Sequence, residues 1–335
     1  RAQGAWDEMV FRSKVRDRSR LYDPLGLVSE GTKVDFLVEA NSYLYGTRFV
    51  TWLAYEYSPE HIVRWVARTD GSRRYFASQF EEVFSESLEE AWGRWIEWEK
   101  GFQDANLAAI RQHPVTGFED LSPQGLGSVS RAHYDPDTGR IYAAFNYPGV
   151  VSHIGAISVA DGSLEKLHDV KQPVMYSVSS VTYDQESKTL FYTTDNAAYR
   201  VRVALDVRTG KTETLVKDAR IGEHAFDPTD RSLWGIRVFN GICSLVRIPH
   251  PFTSWKREFT WPYGEVVYDL DLSPDGRLVS ASVGRINGRH SLRVWTLDAL
   301  RSREATPLAE TDFGVAIPMN FVFSPDGRFL YGSSF

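Results

Sequence analysis

Zinc-dependent hydrolysis needs ligands that hold the metal while leaving a position for water, and a base to activate that water. The eight histidines of this chain stand at 61, 113, 133, 153, 168, 224, 250 and 290, never four apart, so the sequence holds no His-Glu-x-x-His phrase. Cys243 is the only cysteine, which excludes an internal disulfide and a cysteine-ligated zinc. No Gly-x-Ser-x-Gly elbow is present to expose a nucleophilic serine. Gly210-Lys211-Thr212 ends like a phosphate loop, but Leu205 stands where the first glycine is required, and a hairpin turn is the better reading. Asp135, Asp137 and Gly139 lack the third acid and the closing glutamate of a calcium loop, and read as a plain turn. One phrase remains as a chemical lead, Tyr43-x-x-Gly46-x-x-Phe49. Gly46 has no side chain there, so another backbone or a substrate could come close.

The element that must carry Tyr43 is a helix. Tyr45, Phe49, Trp52 and Leu53 fall on one apolar face at helical spacing. Around it, Ala5 to Ser19 predicts a first helix, and Asp23-Pro24-Leu25-Gly26 a loop. Ser58-Pro59-Glu60 is an N-cap with a first-turn proline, opening a short helix expected to bury Ile62, Trp65 and Val66 before Asp70-Gly71-Ser72 stops it. Phe76, Phe80, Val83 and Phe84 mark the next apolar face. Ser87-x-x-Glu90 is a capping box for a long helix carrying Leu88, Trp92, Trp95, Ile96 and the stretch Phe102 to Ile110. Six of the ten tryptophans lie in this region, and at helical spacing they read as packed core.

A Pro, Gly and Ser-rich linker, about 113–128, ends the helical region 1–112. Beyond it, short β-rich runs alternate with turn dipeptides. A phrase repeats: Y-D-P-D-T-G-R at Tyr134, Y-D-Q-E-S-K-T at Tyr183, F-D-P-T-D-R-S at Phe226, L-S-P-D-G-R at Leu272 and F-S-P-D-G-R at Phe323. The starts differ by 49, 43, 46 and 51 residues, about one four-stranded propeller blade. Asp161-Gly162 and Thr209-Gly210 supply tight turns within repeats. The fold expected is therefore multidomain α + β: an N-terminal α-helical region followed by an incomplete β-propeller of four-stranded antiparallel blades at 129–335, about four to five in number. Only eight residues follow Gly327, so 129–335 is expected to form an open arc, and the chain to be a fragment cut at both ends.

Tyr43-x-x-Gly46-x-x-Phe49 and the helix after it resemble a helix downstream of the zinc site in gluzincin metallopeptidases. Ser87-Leu88-Glu89-Glu90-x-Trp92 is similar to a phrase near the end of such domains. The repeats resemble TolB-type and WD-like propellers. The first resemblance implies a parent chain that hydrolyses peptide bonds, with zinc bound upstream of Arg1 and none in this chain. It gives Tyr43 the role of hydrogen-bonding the oxyanion that forms at the scissile carbonyl, and Gly46 that of close approach to substrate. The partner would be a polypeptide substrate or a protein held by the propeller. The alternative is a non-catalytic propeller scaffold with a degenerate peptidase remnant.

Composition narrows the setting. Hydrophobic residues at 42% and charged residues at 24% are ordinary for a globular chain, so neither disorder nor a membrane class is indicated. The net charge of -6 divides evenly: residues 1–112 hold 15 Lys+Arg and 18 Asp+Glu, leaving 23 and 26, so no basic domain exists for nucleic acid. No apolar run is long enough to span a bilayer. A periplasmic or extracellular location is expected, with the cytoplasm as the alternative, since large periplasmic domains also manage without disulfides.

Overall fold

Helix α3 (Val38–Glu56) is where the apolar spacing takes effect: Tyr45, Phe49, Trp52 and Leu53 are all buried along one face. The computed structural model describes residues 5–28, 38–114, 117–122, 128–146, 150–170, 181–194, 201–304 and 306–334. It divides into two units, Arg1–Phe118 and Glu119–Phe335.

The first unit also contains α1 (Ala5–Arg16), α2 (Pro24–Val28), α4 (Pro59–Val66), α5 (Phe76–Phe84) and α6 (Leu88–Ile110). Its core is aromatic: Phe11, Tyr45, Phe49, Phe80, Phe84, Trp92 and Trp95 meet in edge-on, tilted and stacked pairs. The capping box forms as its residues require, with Ser87 Oγ accepting from Glu90 N at 3.2 Å and Glu90 Oε2 accepting from Ser87 N at 3.0 Å. Buried in this core, Arg48 donates from Nε and Nη2 to the two oxygens of Glu99 at 2.8 and 2.6 Å, and Gln103 Nε2 donates to Glu99 Oε1 at 2.7 Å. No described helix is long and apolar enough to cross a membrane.

Four local expectations need correction. The Asp23–Gly26 stretch starts the one-turn helix α2, with Asp23 Oδ1 accepting from Gly26 N. Helix α1 ends at Arg16, not at Ser19, as Arg18 turns to φ 52°. Val66 is exposed, because the eight-residue α4 rests only Ile62 and Trp65 on the core, with Trp65 edge-on to Phe80. Phe76, the first residue of α5, is exposed with the Arg68 guanidinium over its ring, and Phe102 and Ile110 are exposed because α6, at 23 residues, outruns the helices it packs on, its buried stripe ending at Gln103.

The second unit is a β-propeller of four antiparallel four-stranded blades plus a two-stranded sheet. In blade 1, β1 (Ser128–Val129) and β2 (His133–Asp135) share the innermost position against β3 (Arg140–Asn146), followed by β4 (His153–Ser158) and β5 (Leu164–Asp169). Blade 2 is β6 (Val181–Asp184), β7 (Thr189–Thr194), β8 (Val201–Asp206) and β9 (Thr212–Val216). Blade 3 is β10 (Ile221–Asp227), β11 (Ser232–Phe239), β12 (Ile242–Ile248) and β13 (Lys256–Thr260). Blade 4 is β14 (Glu265–Leu272), β15 (Leu278–Arg285), β16 (His290–Thr296) and β17 (Ala309–Gly314), with a short helix α7 (Leu297–Arg301) inserted between its last two strands. Strands β18 (Pro318–Phe323) and β19 (Leu330–Ser334) pair with each other.

All five turn phrases are the first hairpin of a sheet. Each carries a residue with positive φ: Gly139, Lys188, Arg231, Gly276 and Gly327. The carboxylates hold the turns from inside, as in Asp135 accepting from Asp137 N and Thr138 Oγ1, both at 3.0 Å.

Candidate functional site

Tyr43 and Gly46 lie one turn apart on α3, on the side away from the aromatic core. The Tyr43 side chain is 79% exposed, and a Cβ built on Gly46 meets nothing within 4 Å. The close neighbour that a glycine would permit is thus not supplied by the described residues. No group of three His, Cys, Asp or Glu side chains among the described residues could hold a metal ion.

On the propeller, the end that carries the turn phrases is closed by ion pairs between successive blades. Lys188 of blade 2 reaches back to Asp135 at 2.8 Å and Asp137 at 2.7 Å in blade 1. Arg231 of blade 3 reaches back to Asp184 at 2.5 Å and to Glu186 in blade 2. In blade 4 the same position is Gly276, and a Cβ there would stand 2.8 Å from Asp227 Oδ1, so the turn itself is pressed onto the preceding blade. A cleft of about 450 Å³ opens among these turns, but Asp137, Asp184, Glu186 and Arg231, which line it, are already paired with one another or with Lys188.

Within the propeller, Arg131, between β1 and β2, donates to Asp269 Oδ1 at 3.0 Å, Asp271 Oδ1 at 3.2 Å and the carbonyls of Leu270 and Phe321. The same carboxylates accept from Phe321 N at 2.9 Å and Phe323 N at 2.8 Å. Burial pushes both carboxyls above the ordinary aspartate range, with Arg131 opposing. Beside them, burial lowers His133 to about 4; its Nε2, 3.0 Å from the Val181 carbonyl, must carry the proton of the neutral ring. This cluster joins blades 1, 2 and 4 to β18. It has the character of a structural clamp, since each carboxylate is engaged.

The opposite end of the propeller differs in kind. Its loop tips project Phe239, Tyr263, Ile286 and Val315, the last three exposed by 76, 84 and 82%. Tight turns force the apolar side chains outward: Asn240 and Gly241 both have positive φ after Phe239, Gly264 follows Tyr263, and Gly314 precedes Val315. The tips lie close together where blade 3 meets blade 4 and within blade 4. Tyr263 Cε2 lies 3.7 Å from where a Gly241 Cβ would be, and Ile286 Cβ 3.8 Å from that of Gly264. Sequence reading passed over these residues, although large apolar side chains next to turn glycines were a signal that could have found them.

No protein-family model matches this chain, and no curated protein matches it. Among solved structures, the putative TolB from Agrobacterium tumefaciens superposes with a TM-score of 0.52 at 13% identity, over 65% of this chain and 78% of that one. TolB from Acinetobacter baumannii gives a TM-score of 0.47 at 13% identity, over 62% of this chain and 54% of that one. The chain therefore spans about half the length of that protein. A structure of a nidogen/laminin complex gives 0.47 at 13% identity, over 62% and 72%. At such identities the likeness is one of fold, a TolB-like β-propeller. It carries nothing for a gluzincin domain.

Proposed function

We propose that this chain is a non-catalytic binding scaffold whose propeller holds a protein partner on its apolar loop face. The observation that carries the reading is the contiguity of the exposed tips Tyr263 and Ile286, next to the Phe239 loop, rimmed by ion pairs such as Arg285–Glu310 and Arg289–Asp312. Exposed apolar side chains on rigid turns are the anchors from which protein interfaces are built, because they lose little conformational freedom on docking. The TolB-like fold supports this reading by analogy of architecture alone. A periplasmic or extracellular setting is part of the same proposal.

The test pairs capture with mapping. Complexes formed by the full chain in extracts of its native source are cross-linked, and the partner is located on the surface. Contacts at Tyr263 and Ile286, lost together with binding in Tyr263→Ser/Ile286→Ser/Val315→Ser, support the reading. A partner held equally by that variant would overturn it.

A second reading keeps the peptidase parent, with zinc bound in a part of it outside this sequence. Its support is the accessibility of Tyr43, whose hydroxyl stands free to meet a carbonyl beside the open Gly46 turn. Tyr43→Phe in the parent should then lower peptide turnover on the order of a hundredfold, with folding intact. Unchanged turnover would discard it.

A further inference from the structure

Arg202 on β8 is 1% exposed, and none of its three guanidinium nitrogens has a hydrogen-bond partner among the described residues. It stands beside Thr193 of β7, and its Nη2 lies 3.7 Å from where a Cβ on Gly235 of β11 would be, so the side chain crosses from blade 2 towards blade 3. The seam it enters is lined by Phe191, Ile221, Leu233 and Val246, with the buried pair Thr193 and His224, 3.0 Å apart, as its polar neighbour. Gly235 has no room for a side chain: a Cβ would meet Ile221 Cγ2 at 2.4 Å and the Glu223 carbonyl at 2.6 Å, where β10 shifts register.

Two residues along β11 from Gly235, Arg237 leaves the same seam towards solvent. Its guanidinium lies 4.7 Å from the Trp255 ring centre and 5.0 Å from that of Phe239, and its Nε is also buried without a hydrogen bond. Arg220 and Arg257 stand close enough to depress its proton affinity further, after burial. Among the described residues no ion pair reaches Arg202 or Arg237; Asp218, the acid near enough to act on Arg237, is itself paired with Arg220 at 2.8 Å.

Losing a proton does not relieve a buried arginine at neutral pH, since burial brings Arg202 down only to about 9. A charge removed from water without a counter-charge is strongly unfavourable, and a guanidinium fork fits the oxygens of a carboxylate or phosphate. We infer that the seam between blades 2 and 3 is a binding site for a small oxyanion, with Arg202 as its buried anchor and Arg237 at its outer end. The outer end of the site borders the apolar loop face at Phe239, but the inference does not depend on the scaffold reading.

The experiment follows thermal unfolding of the whole chain in low-ionic-strength buffer. Inorganic phosphate and acetate are titrated separately, each against sodium chloride at matched ionic strength. A saturable rise in Tm is expected with at least one of them, absent in Arg202→Met; phosphate alone or acetate alone identifies the source of the oxygens. Arg237→Gln should weaken the apparent affinity about tenfold, and it keeps the test open should Arg202→Met fail to fold. No saturable rise with either anion, the same rise in Arg202→Met, or unchanged affinity in Arg237→Gln would overturn the assignment.

Discussion

Arg131 in blade 1 and Asp269 in blade 4, 138 residues apart in sequence, meet at 3.0 Å with both side chains buried. The contact joins strands that are not sequence neighbours. It is the point at which the first blade is tied to the last complete one.

Arg131→Met should therefore destabilise the propeller by about 3–5 kcal/mol, because it leaves Asp269 and Asp271 buried without their cation. Adding Asp269→Asn and Asp271→Asn should recover a large part of the loss. Urea denaturation of the single and triple variants checks this, and equal stability of wild type and single variant would show that the clamp contributes nothing.

His133 makes stability depend on pH in a definite window. The ring is held neutral when folded, down to about 4, whereas in the unfolded chain it titrates near 6.5. Below about 6.5 the unfolded state binds the extra proton, so stability falls as pH drops through that range towards about 4. Asp269 and Asp271, with raised values, act in the opposite sense at the acid end, so the effect is read as a difference. His133→Gln, which keeps a donor for Val181, should lose less stability than wild type between pH 7 and 5.

Lys188 combines a positive φ of 56° with the ion pair to Asp135. Lys188→Ala should cost about 2 kcal/mol through the lost charged hydrogen bonds. Lys188→Gly should cost about 1 kcal/mol less than alanine, since glycine accepts the left-handed conformation without strain. Chemical denaturation of the pair would reject the argument if alanine proved the more stable.

Gly276→Ala should destabilise by more than about 2 kcal/mol. The new Cβ would stand 2.8 Å from Asp227 Oδ1 and from Thr229 Oγ1, at a φ of 66°. Gly139→Ala, with φ 63° but open space, should cost only about 1–2 kcal/mol. Similar losses at both sites would remove the blade contact from the explanation.

In the helical unit, Arg48→Met should cost about 3–5 kcal/mol by stranding Glu99, and Arg48→Met/Glu99→Leu should restore much of it. The observable is helical ellipticity against denaturant. A double variant no better than the single would mean that Gln103 or the flanking Phe11 and Phe102 rings, not the charge pair, set the stability.

What the sequence determined by itself was local. The spacing of Tyr45, Phe49, Trp52 and Leu53, the Ser87–Glu90 box and the five turn phrases each act within a few residues, through side-chain periodicity, capping and backbone preference, and each appears in the structure where its residues stand. Which surfaces those elements turn to one another was decided only by tertiary packing. A period-of-two strand pattern has no means of stating that Arg131 faces Asp269, that Arg202 is drawn into the seam beside Gly235, or that Tyr263 and Ile286 come together at one end. Val66 shows the same limit in the helices: its apolar character and spacing suited burial, but no described residue covers the short α4 on that side.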